Sequence, residues 1–143
     1  MKKPKIFIAC DTTSLERVKK IINQSKTNKI KIGYKFGLEF MNSEKGRKFL
    51  TTLKNKIIFV DLKLNDTVNT MISTVKALRD LKIHYLTVHI SSGLTALKAV
   101  KKVSRSTKII GVTALTSLNN NDLKLIGYNK SVKNLVIHQA KLA

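Results

Sequence analysis

Apolar and polar positions along this chain keep switching between two rhythms. Ile6-Phe7-Ile8-Ala9-Cys10 is a short apolar run that stops at Asp11, which predicts a strand. Thr13 then stands as a helix cap with Glu16 three residues on, a capping-box pattern, and Leu15, Val18, Ile21 and Ile22 recur at helical spacing. Lys29-Ile30-Lys31-Ile32-Gly33-Tyr34 predicts a second strand, and Ser43 to Lys54 a second helix with Phe49, Leu50 and Leu53 inward. Ile57 to Leu62 reads as a third strand. Val68, Met71, Ile72, Val75 and Leu78 form the clearest helical stripe. Tyr85 to Ile90 reads as a fourth strand, followed by a helix lined by Leu94, Leu97, Val100 and Val103. Lys108 to Leu115 predicts the fifth strand. A short helix near Asp122–Ile126 and a last one marked by Val132, Leu135, Val136 and Ala140 complete the chain.

Strict strand–helix alternation argues a parallel sheet with helices outside it. Two closures are open to such a pattern: a doubly wound sheet, which finishes at this length, or a (β/α)8 barrel, which usually takes about 250 residues. No linker, short-period repeat or low-complexity segment divides the 143 residues, so they read as a single domain, 1–143.

Composition narrows the partners. The chain carries 28 basic against 8 acidic residues, a formal net charge of +20. A nucleic-acid-binding α/β domain is the obvious reading of that excess. Arg17, Arg47, Arg79 and Arg105 are the only arginines, however, and the lysines are spread along the chain with no interleaved aromatic residues for stacking. The charge therefore reads as a solvated lysine surface, and a nucleic-acid partner is not expected. No apolar run approaches the roughly 20 residues a membrane helix needs. Met1-Lys2-Lys3-Pro4-Lys5 has only a faint signal-like character, because the apolar run behind it ends at Asp11. The single cysteine, Cys10, fits a reducing compartment, and the protein reads as soluble and cytoplasmic.

Candidate chemistry gathers at one end of the predicted strands. Asp11 ends the first, and Lys31 lies in the second. Asp61-Leu62-Lys63-Leu64-Asn65-Asp66 leaves the third, His89 with Ser91-Ser92-Gly93 ends the fourth, and Thr116-Ser117 ends the fifth. In α/β proteins ligands bind at the C-terminal strand ends. Carboxylate, ammonium and carboxylate at the end of a buried strand are costly to hold unless the charges act together. Each residue also has a plainer reading: Asp11 as a loop acid ahead of a helix, His89 as a satisfied core histidine, Cys10 as a small buried residue and the serines as a helix cap. Three scattered histidines and one cysteine lack metal-ligand spacing, and no phosphate-binding glycine pattern appears.

These segments carry a resemblance. Asp61-Leu62-Lys63-Leu64-Asn65-Asp66 with Asn69-Thr70 resembles the Asp-x-Lys-x-x-Asp motif of the orotidine 5′-phosphate decarboxylase family, though Thr67-Val68 stands where that family has Ile-Pro. Ile8-Ala9-Cys10-Asp11, Ile30-Lys31-Ile32-Gly33, Thr87-Val88-His89 with Ser92-Gly93, and Val112 to Ser117 are similar to its other strand-end segments, in the same order. The resemblance implies the first five β/α units of a (β/α)8 TIM barrel. It implies removal of CO2 from orotidine 5′-phosphate to give UMP, with no cofactor and no metal. By position, Lys63 would protonate C6, Asp61 would press on the substrate carboxylate, and Lys31 would hold Asp61 and the ribose. Asp66 would complete the array from the neighbouring subunit of a homodimer. Asp11 and Thr70 would contact the ribose and the partner's site, Thr116 the pyrimidine, and Asn65 would be among the substrate-binding residues. The family continues into three more units bearing the loops that grip the substrate phosphate. This sequence therefore reads as an N-terminal portion, close to inactive alone. A 3-hexulose-6-phosphate synthase or keto-gulonate-phosphate decarboxylase relative, using the same acid–lysine pair around a magnesium-bound enediolate, is the enzymatic alternative.

Overall fold

A computed structural model of the chain describes residues 6–143; the basic stretch Met1-Lys2-Lys3-Pro4-Lys5 and its faint signal-like character lie outside the described residues. Five strands form one sheet: β1 (Ile6–Ala9), β2 (Ile32–Gly37), β3 (Ile57–Leu64), β4 (Tyr85–His89) and β5 (Lys108–Val112). Seven helices intervene and follow: α1 (Leu15–Gln24), α2 (Leu38–Met41), α3 (Gly46–Thr52), α4 (Val68–Ala77), α5 (Leu94–Val103), α6 (Asn120–Leu125) and α7 (Val132–Leu142).

All pairings are parallel, and the strands lie in sequence order β1-β2-β3-β4-β5. That order decides between the two closures. Right-handed crossovers that always advance in one direction put every helix on the same face, whereas a doubly wound sheet reverses its order. The sheet is therefore a run of barrel-type β/α units.

Alternation within each strand sorts the side chains. Tyr34, Phe36, Ile58, Val60, Leu86 and Val88 are buried in one cluster with Val18, Ile22, Phe40, Leu50, Met71, Val75 and Val100 of the helices. Each such side chain contributes about 1.5–3 kcal/mol by leaving water. Tyr34 also keeps its hydroxyl paired, 2.9 Å from Ser25 Oγ. On the opposite face Phe7 packs edge to face on Phe59 and Tyr85, with ring centroids 5.3 and 5.1 Å away, and Phe59 and Tyr85 lie tilted to each other at 6.1 Å.

The elements differ from the sequence reading in places that matter for the site. β2 begins and ends three residues later than expected. The helix expected over Ser43–Lys54 is the shorter α3, and a separate helix that the sequence reading did not contain, α2, precedes it; Asn42 Nδ2 and Ser43 Oγ donate to the carbonyls of Leu38 and Phe40 and end α2. α3 then starts at Gly46, where a Cβ would run into the Phe40 carbonyl. The cap of α1 is Ser14, not Thr13: its hydroxyl accepts from the Arg17 N–H at 3.2 Å and donates to Glu16. β5 ends at Val112, so Thr113 to Leu115 belong to the loop.

Candidate active site

Ion pairs collect at the C-terminal ends of β1, β2 and β3. Lys35 of β2 bridges Asp11, just after β1, at 3.2 Å and Asp61 of β3 at 3.4 Å; Lys63 meets the same Asp61 oxygen at 3.0 Å. Asp61 is the pivot, its side chain only 11% exposed. Lys35 and Lys63 both donate to Oδ2, and the buried Thr87 hydroxyl of β4 donates to Oδ1 at 2.8 Å. Burial pushes the Asp61 pKa up, but the hydrogen bonds from Lys63 and Thr87 and the charges of Lys63 and Lys35 outweigh it and hold the carboxyl below its ordinary range. Asp61 is therefore a carboxylate, as a buried charge flanked by two ammonium groups must be.

The cation beside Asp61 on β2 is Lys35, not Lys31. Lys31 is exposed and precedes β2. Gly37 is the register partner of Asp61, so Lys31 stands six residues, roughly 20 Å, back along the strand. It belongs to the opposite end of the sheet. A signal for Lys35 exists in the sequence: Ile32, Tyr34 and Phe36 alternate with Gly33, Lys35 and Gly37, which puts Lys35 on the face of the site.

β3 reaches Leu64, two residues further than expected, and does so irregularly. Val60 pairs with Leu86 and Leu64 with Val88, so Asp61, Leu62 and Lys63 together stand against Thr87 alone. Within this bulge Lys63 takes a left-handed backbone, φ 49°, which costs roughly 1–2 kcal/mol in a residue with a side chain. Its N–H, lost to the strand ladder, donates to Thr87 Oγ1 at 2.8 Å.

The remaining candidates surround this array without joining it. Asp66 is exposed, makes no ion pair among the described residues, and accepts from the Thr67 N–H at 2.7 Å ahead of α4. Thr70 lies in the first turn of α4, with its hydroxyl 3.0 Å from that of Thr67. Asn65 accepts from Ser92 Oγ at 2.9 Å, linking the β3 and β4 loops. Gly93 follows with φ 86°, a backbone that favours glycine, where the chain turns into α5. Thr116 sits exposed in the turn after β5. His89, at the end of β4, is kept neutral by burial and then by the charge of Lys63, both of which lower its pKa. The Cys10 thiol is pushed up to about 11, by burial first and then by Asp11. It is a buried structural thiol and not a nucleophile.

Two strongly held cations on one carboxylate, at the strand ends of barrel-type units, suit chemistry that develops negative charge and then takes a proton. Comparison with known proteins agrees. Residues 4–143 match the Orotidine 5′-phosphate decarboxylase / HUMPS family. The chain is 40% identical over 142 residues to orotidine 5′-phosphate decarboxylase of Wolbachia sp. subsp. Brugia malayi, an alignment covering 96% of this chain and 62% of that protein. It is 33% identical to the enzyme of the same name from Malacoplasma penetrans, covering 100% of this chain and 64% of that protein. The crystal structure of orotidine 5′-phosphate decarboxylase from Lactobacillus acidophilus superposes with a TM-score of 0.82 at 28% identity, over 99% of this chain and 66% of that one. The chain thus spans less than two thirds of the length of these relatives, and its five β/α units correspond to part of their barrel. This chain belongs to the Orotidine 5′-phosphate decarboxylase / HUMPS family.

Proposed function

We propose that this chain carries the decarboxylating array of an orotidine 5′-phosphate decarboxylase, which removes CO2 from C6 of orotidine 5′-phosphate to give UMP in pyrimidine biosynthesis. The observation that carries the reading is Asp61 held between Lys35 and Lys63, at 3.4 and 3.0 Å. The named relatives favour it over a hexulose-phosphate synthase and over a nucleic-acid-binding domain.

The chemistry follows from the charges. Cleaving the C6–carboxylate bond leaves the electron pair on C6. The Lys63 ammonium stabilises that developing charge and then delivers its proton to C6, so the step balances without a cofactor or a metal ion. Asp61, kept ionised, crowds the substrate carboxylate and favours its departure. Lys35 takes the role first expected of Lys31: it fixes Asp61 and, through Asp11, the ribose side of the site. Thr70 contacts the ribose and the partner's site, Thr116 the pyrimidine, and Asn65 is among the substrate-binding residues. Asp66 serves the array of a second copy in a homodimer, which suits its exposure and its lack of an ion pair to Lys63. Residues 1–143 act as a single domain. A cytoplasmic setting fits the lone, buried Cys10, and no helix among the described residues is long and apolar enough to cross a membrane.

The test joins residues 1–143 to the part of the Wolbachia relative beyond the matched region and follows loss of orotidine 5′-phosphate absorbance. The joined protein should turn over substrate, and residues 1–143 alone should be close to inactive, because remote binding energy is needed to drive the step. A joined protein that folds and binds UMP yet leaves orotidine 5′-phosphate untouched overturns the reading.

A further inference from the structure

The bulge in β3 has a single centre on the neighbouring strand. Three residues of β3, Asp61, Leu62 and Lys63, stand opposite one residue of β4, Thr87. Thr87 is 4% exposed, and its hydroxyl uses both of its bonding capacities inside the bulge: it accepts the Lys63 N–H at 2.8 Å and donates to Asp61 Oδ1 at 2.8 Å. Valine there would satisfy the strand and the burial but neither bond.

We propose that Thr87 is a positioning residue whose hydroxyl holds the Lys63 backbone in its left-handed turn and the Asp61 carboxylate in its rotamer, so that the two charged groups face each other.

Three observations converge on this. The left-handed φ of 49° at Lys63 is unfavourable in itself and needs something to hold it. The Lys63 N–H takes a side-chain acceptor, Thr87 Oγ1, inside the register shift. The two Asp61 oxygens are divided between donors, Oδ2 to the lysines and Oδ1 to Thr87, so the carboxylate cannot rotate without losing a bond. A hydroxyl at this position thus couples the β3 backbone to the orientation of the acid. Thr87 touches the groups assigned to the reaction and not the reacting atoms themselves. The inference gives these groups their catalytic meaning through the proposed decarboxylation, but the geometry it asserts stands apart from that reaction.

The experiment measures the geometry directly in the 143-residue chain, by NMR, for wild type, Thr87→Val and Thr87→Ser. Two readouts are followed: hydrogen exchange at the Lys63 amide and the titration of the Asp61 side-chain carboxyl. The groups on Asp61 are Lys63 of its own strand, Lys35 of β2 and Thr87 of β4; His89 on β4 feels the charge of Lys63, and Asp11 after β1 pairs with Lys35. All but Thr87 are unchanged across the series. Thr87→Val should speed exchange at Lys63 by about tenfold or more, since the amide loses its acceptor. It should also raise the Asp61 pKa, since the carboxylate loses a donor. Thr87→Ser should restore both, which a purely packing role would not produce. If the valine disturbs folding, Thr87→Ala against Thr87→Ser gives the same comparison. An unchanged Lys63 amide and Asp61 titration in a folded, hydroxyl-free variant overturns the proposal. So does failure of serine to rescue. Binding of UMP by the joined protein is scored separately: its loss in wild type would count against the decarboxylase reading and leave the role of Thr87 standing.

Discussion

The two ends of the sheet hold charge in opposite ways. At the C-terminal end, Asp11, Lys35, Asp61 and Lys63 form an alternating chain of two acids and two cations joined by three ion pairs. At the N-terminal end of β3, β4 and β5 lies a cleft of about 1100 Å³. Lys54, Lys56, Arg79, Lys82, Arg105 and Lys108 line it, with Asp80 as the one carboxylate, and Asp80 is already bound to Arg47. Volume alone would point to the cleft. Its cations, however, repel one another: Arg79 reaches the Val103 carbonyl at 3.4 Å and Lys108 lies over the Tyr85 ring, but none of the six pairs with a carboxylate among the described residues. The paired charges at the other end are partly desolvated and mutually hydrogen-bonded, which holds them in place before any substrate arrives. Convergent, satisfied charge marks the candidate site here, and empty space does not.

The largest effect expected from this contrast is at Lys63. In the protein joined to a complete barrel, Lys63→Ala should lower decarboxylation by about 10⁴-fold or more, since both charge stabilisation and the proton are lost. Lys56→Ala and Lys108→Ala, in the cleft, should leave the rate within about twofold. Rate measurements on the three variants decide the matter, and an equal loss at either cleft lysine would dissolve the distinction between the two ends.

Lys35 and Lys31 sharpen it. They lie four residues apart in the same alternation, one at each end of β2. Lys35→Met should cost about 10²-fold in rate, because Asp61 and Asp11 lose their shared cation. Lys31→Met should be close to silent. The reverse ranking would restore the assignment expected from the sequence.

That pair also shows how far the sequence could be read. The phase of β2 was legible: Lys31, Gly33, Lys35 and Gly37 share one face and Ile32, Tyr34 and Phe36 the other. Its ends were not, because Ile30 and Ile32 continue the apolar alternation past the point where the strand begins. A slip of four residues keeps a side chain on its face and moves it about 13 Å along the strand, from one end of the sheet to the other. β3, β4, α4 and α5 were clearer, since apolar runs such as Ile57–Val60 are bounded by polar loops. Asp61, Lys63 and Asp11 followed from their places at strand ends. Thr87 was beyond reach. Its role arises from a register shift between β3 and β4, which no single segment records. α2 was hidden for a different reason, since the four residues Leu38–Met41 are too few to show a helical stripe.

Acid should act on the stability of the fold in two stages of the same sign. His84 is lowered by burial, and His89 by burial and then by Lys63. The unfolded chain therefore binds their protons more readily, and stability falls as pH drops below the ordinary histidine value of 6.5. The Asp61 pKa is also lowered in the folded state, so its contribution is present above the ordinary value of 3.8 and is lost as pH falls below it. Urea unfolding across pH should show both declines. His89→Gln should reduce the first and Asp61→Asn the second. A second decline unaltered in Asp61→Asn would place the acid sensitivity elsewhere.

The smallest expected effect belongs to the one acidic residue near the cleft. Asp80 accepts two hydrogen bonds from Arg47 at 2.9 Å each, and Arg47 also donates to the Ala77 carbonyl at 2.9 Å, tying α3 to the end of α4. By distance this is the tightest ion pair among the described residues, closer than the three in the array. Both side chains are nearly half exposed, at 45% and 49%, however, and water and salt compete for them as they do not for Asp61. Asp80→Asn should therefore cost less than about 1 kcal/mol, seen as a fall of at most a few degrees in melting temperature, and 1 M salt should shrink the difference further. The Asp61 titration should not move. If this exposed pair proved as costly to break as the Lys35 bridge to Asp61, short distance and not burial would be what gives an ion pair its strength in this protein, and the contrast between the two ends would fail at its root.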